Sequence, residues 1–233
     1  LATTVSTMVS GAQGMMSSIL RILTSGILAG ALIKTGSAEK IAETIVTKLG
    51  EKRAIAAISI ATMIICAVGV FVDISVITVA PIAIAIGQKA NLSKSGILLA
   101  MIGGGKAGNI ISPNPNTIAA SEAFNVDLTS LMTKNIISAI CALVVTIVLA
   151  GLLSKKKEEA IYAEASSEEK RDLPNFAASI CGPIVVIILL ALRPLLGITV
   201  DPLIALPIGG LVSIIVTGKI KDIISNLRQS TEN

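Results

Sequence analysis

Histidine is absent from this sequence of 233 residues, and charged residues make up only 15% of it. Without an imidazole, the chain cannot build a histidine-based zinc site or a histidine-dependent proton relay. A soluble domain usually carries about 25% charged residues. The shortage of charge, together with 53% apolar residues and a mean hydropathy of +0.85, argues against a soluble domain.

Cysteine is also scarce, at three residues: Cys66, Cys141 and Cys181. All three lie in apolar blocks and have neither ligand spacing nor the pattern of a disulfide framework, so we expect packed small hydrophobic side chains. No basic segment precedes an apolar one at the beginning of the chain, so no signal peptide is visible. The chain opens on Leu1 instead of Met, which suggests a fragment.

Long apolar blocks dominate what is present, at about 11–33, 54–87, 135–153, 176–192 and 202–217. A helix needs about 20 apolar residues to cross the hydrocarbon core of a bilayer. Backbone groups in lipid must be satisfied internally, which leaves helices or closed barrels. Because Ile, Leu and Ala dominate and no alternating ten-residue segments occur, the sequence predicts an all-α, polytopic membrane protein.

The basic residues are spread unevenly between the blocks, and their distribution orients the segments. If 54–87 form a helical hairpin and 96–121 cross the bilayer once, all but four of the 19 basic residues share one side. The four others are Arg21, Lys106, Lys134 and Arg193. The positive-inside rule therefore favours the hairpin and places the charge-rich stretch 154–175 in the cytoplasm as a linker. The same rule explains the net charge of +4 without nucleic-acid binding.

Asp73 is the one acidic residue of 15 that lies deep inside an apolar run. A charge at that depth costs roughly 2.5–3.5 kcal/mol and usually marks an ion or substrate path. We interpret Asp73 as a cation ligand or protonation site near the tip of the hairpin, with Ser75 close by in sequence. A snorkelling carboxylate or a buried ion pair is the alternative.

Residues 96–121 are apolar at both ends and polar in the middle. Three consecutive glycines at 103–105 and the prolines at 113 and 115 predict an interruption of the helix over 103–117. Many transporters build their sites at such discontinuous helices. The alternative, a loop outside the membrane, is disfavoured because each flank is too short to span alone. The side chains expected to shape a substrate and ion site are Asn109, Ser112, Asn114, Asn116 and Thr117.

Two basic residues fall inside predicted spans. Lys106 has three open interpretations: pairing with Asp73, attracting an anionic substrate, or snorkelling to the surface. Arg21 is interpreted as a snorkelling or interfacial residue, with a substrate ligand as the alternative. The GGGKAG stretch lacks the spacing of a phosphate-binding loop, so we reject that motif.

Three stretches carry a resemblance to a known family. GILAGALIKTGSAEKIAETIVTKLGEKRA resembles the early span and amphipathic arm of the gluconate permease (GntP) family of the ion-transporter superfamily. FVDISVITVAPIAIAIG resembles the acidic hairpin segment of that family. SPNPNTIAASEAFNVDLTSLM resembles its Pro-rich unwound segment, including the step at Phe124, Asn125 and Asp127. Where gluconate-type members carry a His in a PPHPGP-like segment, this chain has Asn114.

The resemblance implies a multi-pass protein of the bacterial cytoplasmic membrane, built from two inverted repeats. Residues 1–153 would then form the first transport repeat, and 176–233 two spans and the start of a truncated second repeat. The implied function is proton- or cation-coupled symport of gluconate or a related carboxylate, without a cofactor. If Na⁺ is the coupling ion, it is expected at Asp73, Asn114 and Asn116. Assembly as a homo-oligomer is left open.

Two other function classes compete with this hypothesis. Within transporters, the chain could belong to a dicarboxylate carrier or a cation/proton antiporter of the same superfamily. An intramembrane enzyme is disfavoured, because a hydrolase would need a second carboxylate or a Ser/His dyad beside Asp73. We therefore expect a transporter and no enzymatic activity.

Overall fold

The structure, a computed structural model, describes residues 2–14, 16–154, 172–198 and 200–220. Within these ranges the chain folds into α-helices with one 3₁₀ turn at Glu51–Arg53, and the predicted all-α class is confirmed. The helices are α1 Ala2–Gly14, α2 Met16–Lys34, α3 Ser37–Leu49, α4 Ala54–Ala67, α5 Val72–Lys89, α6 Lys94–Asn109, α7 Pro115–Ala123, α8 Leu128–Lys134, α9 Ile136–Ser154, α10 Phe176–Leu196 and α11 Pro202–Val216.

Two helices are long and apolar enough to cross a membrane, α5 and α9, judged by length and composition over the described residues. Shorter apolar helices cover Phe176–Leu192 and Pro202–Val216. Most of α9 is exposed, including Ile137, Val144 and Leu152. In water such a face would be unfavourable, whereas lipid accommodates it without cost.

The helices α4 and α5 occupy the stretch where the sequence predicts a hairpin. They contact each other and are joined at Gly69, whose φ of +105° is one that side chains rarely adopt. Pro81 lies inside α5 without ending the helix. The fully buried side chains of Ile58 and Ile65 place the inner face of α4 in the hydrophobic core.

The glycine cluster does not break a helix, and here the sequence prediction is wrong. Helix α6 runs through Gly103, Gly104 and Gly105 to Asn109, so the interruption is confined to residues 110–114. The physical reason is close packing: a Cβ atom at Gly104 would overlap with the carbonyl group of Ser59. The contact with α4 compensates for the glycine cost of about 1 kcal/mol per residue in a helix interior.

The same mode of packing fixes α6 on both sides. A Cβ atom at Gly108 would overlap with the carbonyl oxygen of Met63 in α4, and one at Gly103 with Thr146 in α9. Small residues of this kind allow helix backbones to approach each other closely. As a result α6 is held between α4 and α9 over its whole length.

The remaining helices form a second group. Helix α11 packs against α10 and α2, and α7 packs against α2 and α8. Helix α3 contacts α4, α5 and α10 and buries its apolar face, including Ile41 and Val46, between the two groups. The cavity described below lies where the hairpin and α6 meet the beginning of α7.

Two boundaries differ from the sequence prediction. A helix, α8, lies within 122–134, which falls between the predicted segments and carries no apolar block. The Asp127 carboxylate caps this helix by accepting from the Ser130 N–H at 3.0 Å. Helix α10 continues to Leu196 instead of ending near 192. Most of the predicted cytoplasmic linker (155–171) and the C-terminal tail (221–233) lie outside the described residues.

Candidate functional site

A cavity of about 620 Å³ lies between the hairpin and the interruption after α6. Its walls come from the beginning of α5, the second half of α6 and the first turn of α7. The lining residues are Phe71, Val72, Asp73, Val76, Ile77, Ile102, Lys106, Asn109, Pro115 and Asn116. Four of the eight sequence-predicted site residues are among them: Asp73, Lys106, Asn109 and Asn116.

The fold places the charged side chains at complementary helix ends. Asp73 lies in the first turn of α5, and Lys106 lies in the last turn of α6. The partial positive charge of a helix N-terminus stabilises a carboxylate, and the C-terminus stabilises an ammonium group. Each charge therefore has a favourable position without needing the other.

Asp73 and Lys106 do not pair, so the ion-pair interpretation of Lys106 is not supported. No Lys106 nitrogen lies within 4.0 Å of an Asp73 oxygen in this part of the chain. Both side chains are exposed to the cavity, as is Asn116, whereas Asn109 is 7% exposed. An acidic and a basic group therefore face one open space with two amides beside them.

The tip of the hairpin lies directly against the interruption. A Cβ atom at Gly69 would be 3.9 Å from the Pro113 side chain, and one at Gly105 would be 2.9 Å from the Val72 side chain. These contacts hold the beginning of α5 against the end of α6. They explain how residues from 73 to 116 reach one cavity.

Asn114 holds the interruption together through its side chain, which is fully buried. Its amide nitrogen donates to the Asn109 carbonyl oxygen and to Ser112 Oγ, each at 2.5 Å. Its amide oxygen caps α7 by accepting from the N–H groups of Asn116 at 2.8 Å and Thr117 at 3.3 Å. Two donors and two acceptor positions are all that an Asn amide offers, so Asn114 is saturated.

The other predicted residues at the interruption are engaged in the same way. The Thr117 hydroxyl donates to the Ser112 carbonyl oxygen, and the Ser112 hydroxyl donates to the Asn109 carbonyl oxygen at 3.2 Å. Ser75 is fully buried and accepts a hydrogen bond from the Cys66 thiol at 3.1 Å. Ser75, Ser112, Asn114 and Thr117 therefore lie outside the cavity wall and satisfy the protein's own polar groups.

A second polar cavity, of about 460 Å³, surrounds Arg21. Arg21 donates to Asp201 from Nε at 3.2 Å and from Nη2 at 2.7 Å, and its Nη1 pairs with Glu122. The guanidinium therefore joins α2 to α7 and α11, a contact that the interpretation of Arg21 as a snorkelling or interfacial residue does not include. Local sequence patterns give little indication of this contact, because Arg21 and Asp201 are 180 positions apart.

The pairing changes the acidity of Asp201, which lies in the connection before α11. Burial alone would raise the pKa of this carboxyl group. Hydrogen bonds from Arg21 and from the Leu203 N–H, together with the Arg21 charge, lower its pKa below the ordinary value. Asp201 is therefore charged at neutral pH and keeps its bond to Arg21.

Neither cavity offers a metal centre of the usual kind. Among the residues that the structure describes, no group of three or more His, Cys, Asp or Glu side chains could hold a metal ion. What the first cavity offers is one carboxylate, one ammonium group and two amides. This set suits a small polar anion together with a proton or a weakly held monovalent cation.

Comparison with known proteins identifies the family. The sequence model described as GntP family permease matches residues 1–224. The chain belongs to the GntP family of permeases. The predicted resemblance to this family is thereby confirmed.

Curated relatives of the GntP chain come from several bacteria. An uncharacterized transporter of Haemophilus influenzae is 53% identical over 223 residues, which cover 96% of this chain and 53% of that protein. An inner membrane permease of Escherichia coli is 29% identical over 64% of this chain and 33% of its own length. The high-affinity gluconate transporter of E. coli is 23% identical over 79% of this chain and 43% of its own length.

The chain spans about half the length of the Haemophilus relative and less than half of the other two. No solved structure matches it. Family membership and the apolar helices establish a multi-pass bacterial membrane protein of a permease family. The matched family and the relatives are described as permeases and transporters, not as enzymes.

Proposed function

We propose that this GntP chain contributes the binding site of a secondary active transporter that carries a small organic anion of the gluconate class with a proton or cation. The observation that carries the proposal is the cavity that Asp73, Lys106, Asn109 and Asn116 line beside an interrupted helix. Its volume of about 620 Å³ lies within the range of roughly 300–1,000 Å³ typical of small-molecule sites.

Each polar group has a role that follows from its chemistry. The Lys106 ammonium attracts the substrate carboxylate, and the amides of Asn109 and Asn116 bond to its oxygens or hydroxyl groups. Asp73 takes the coupling proton or cation, which neutralises a carboxylate that otherwise repels the substrate. Uptake of the anion and the cation is coupled because each ion compensates the charge that the other brings into a cavity whose own charges, Asp73 and Lys106, cancel.

The hydrogen bonds revise the proposed cation ligands. Asn114 was expected to bind Na⁺, but its oxygen already accepts two backbone N–H groups. Asp73 and Asn116 keep their side chains toward the cavity, with Asn109 beside them. We therefore assign any coupling cation to Asp73 and Asn116 and give Asn114 a structural role.

We further propose that α6 and α7 together form one discontinuous membrane-crossing segment, with residues 110–114 inside the bilayer. Support comes from helix length: 16 and nine residues are each too short for a crossing that needs about 20. The Asn114 side chain satisfies backbone groups on both sides of the interruption, the Asn109 carbonyl and the N–H groups of Asn116 and Thr117, as a position inside lipid requires. The cavity is open on one side, and a second, inverted repeat in the complete protein would cover it.

The test is uptake of labelled gluconate and of a C4-dicarboxylate into vesicles that contain the complete transporter. We expect Asp73→Asn to lower proton- or Na⁺-dependent uptake roughly 10- to 100-fold, the equivalent of about 1.4–2.8 kcal/mol of lost binding. Glu43→Gln is the matched control, because that carboxylate forms a half-buried pair with Lys40 on α3, away from the cavity. The control should leave uptake unchanged.

Three results would contradict the proposal or redirect it. If Asp73→Asn leaves uptake and its pH and Na⁺ dependence unchanged, the cavity is not the coupling site. If the vesicles take up the dicarboxylate but not gluconate, the substrate class is C4-dicarboxylates and not gluconate-like acids. No uptake of either carboxylate above background would reject the proposed symport.

A further inference from the structure

Arg21 links three helices near one end of the bundle. It extends from α2 and forms two parallel hydrogen bonds with Asp201, at 3.2 and 2.7 Å, while its third nitrogen pairs with Glu122. Two-point contacts of this kind are directional as well as strong, because the planar guanidinium fits both carboxylate oxygens. The side chains of Arg21 and Glu122 are 25% and 31% exposed, so water screens the pair only in part.

The two carboxylates belong to different structural elements. Asp201 is the N-cap residue of α11 and accepts from the Leu203 N–H at 2.9 Å, which fixes its orientation. Glu122 lies in the last turn of α7. Arg21 thus ties the C-terminal end of α7 to α2 and to the start of α11.

Helix α7 is short, and its other end carries a cavity residue. It has nine residues, or about 13 Å of length, with Asn116 in the first turn and Glu122 in the last. Its N-terminal end is held by the Asn114 network, and its side packs against α2 and α8. The direction in which Asn116 points therefore depends on where the far end of α7 is held.

We propose that Arg21 is a positioning residue for substrate binding: through Glu122 it holds α7 in the orientation that keeps Asn116 in the cavity wall. This inference rests on the proposed function of the cavity. Arg21 itself lines the second cavity and does not touch the first. Removing its charge leaves Glu122 and Asp201 facing each other, and their repulsion pushes α7 away from α11.

Kinetics of the complete transporter test the proposal. We expect Arg21→Gln and Glu122→Gln each to raise the KM for gluconate about tenfold, within the range of coupling energies between connected residues, with Vmax largely kept. Glu122→Gln keeps the Arg21–Asp201 pair, so it remains informative if Arg21→Gln folds poorly. Lys40→Gln breaks a half-buried pair on α3 that lines neither cavity, so it is the control and should leave KM unchanged.

A double-mutant cycle separates positioning from general damage. If Arg21 acts through Asn116, combining Arg21→Gln with Asn116→Ala should raise KM no further than Asn116→Ala alone. Lys106 lies on α6, so combining Arg21→Gln with Lys106→Met should multiply the two effects. A merely structural role would multiply with both.

The outcomes also separate this inference from the proposed function. If Asn116→Ala and Lys106→Met raise KM but Glu122→Gln does not, the positioning role is wrong and the cavity stands. Multiplicative effects of Arg21 and Asn116 would overturn it as well. If no cavity substitution changes KM, the proposed function is wrong, and so is this inference, which rests on it.

Discussion

Two groups of polar residues meet at the interruption after α6, and they differ in what they bond to. The capping network is Ser112, Asn114 and Thr117. The cavity wall is Asp73, Lys106, Asn109 and Asn116. The network is buried and its side chains bond to the backbone and to each other, whereas the wall borders open space.

The difference teaches that residue type alone does not identify a binding group. Asn114 and Asn116 carry the same amide two positions apart, yet one is fully buried and the other exposed. A buried amide whose capacity is used by the protein stabilises the fold, since leaving its partners unsatisfied would be costly. An amide that faces a cavity is available to a ligand.

The largest effect is expected from Asn114→Ala. It removes the N-cap of α7, takes one of the donors from the Asn109 carbonyl and leaves the Ser112 hydroxyl oxygen without a donor. The loss should lower the free energy of unfolding by roughly 2–4 kcal/mol. Reversible unfolding of the purified protein in detergent measures it. Asn116→Ala is the control, with a change within about 0.5 kcal/mol. Equal losses from both variants would erase the distinction between network and wall.

Next comes Gly108→Ala, which affects both groups at once because α6 carries Asn109. A methyl group there would overlap with the Met63 carbonyl oxygen and force α6 away from α4. Overpacking of this kind costs typically about 1–3 kcal/mol. Gly30→Ala in α2 is the matched control, because nothing lies within 4 Å of its Cβ position, and it should be neutral or stabilising. The same unfolding assay compares them, and similar results for both would show that the close contact is not needed.

The smallest effect is expected at Asp201. This residue caps α11 with a charged carboxylate, whereas Asn114 caps α7 with a neutral amide. Its pKa lies below the ordinary value of 3.8 in the folded protein, so its stabilisation is present above that value and is lost as pH falls through the folded pKa. Because the side chain is 38% exposed, the contribution is small and weakens with salt. Thermal unfolding from pH 7 to pH 3 should show less acid sensitivity in Asp201→Asn than in the parent. Identical pH profiles would mean that the pair contributes nothing.

The fold class could be predicted from the sequence, because long apolar blocks in lipid leave few alternatives to helices. The position of the interruption could be predicted only in part. The prolines predict a break in this region, but the predicted interruption runs to residue 117 and α7 begins at Pro115. Asn at an N-cap followed by Pro at the first helical position is a helix-start signal that would have placed this boundary. The glycines led to a wrong prediction, because helix propensity describes an isolated helix. It does not include the carbonyl groups of Ser59 and Met63, which pack against these glycines.

Within the candidate site, the charged residues were easier to predict than the hydrogen bonds and ion pairs between residues. Asp73 and Lys106 stand out because charges are rare in apolar runs, and both line the cavity. Nothing local distinguishes Asn116 from Asn114, because the difference depends on three-dimensional hydrogen bonding. The role of Arg21 requires a partner 180 positions away, and no periodicity within one segment reveals such a contact.

The interlocked backbones of α4 and α6 restrict how this protein can move. The carbonyl groups of Ser59 and Met63 lie against Gly104 and Gly108. If α6 slid along α4, the side chain of a neighbouring residue in α6 would meet one of these backbone oxygens. The two helices must therefore travel as one rigid body. Beside the cavity, residues 110–114 are the non-helical link between α6 and α7, so a rotation there would change the direction of α7 and leave the α4–α6 contact intact.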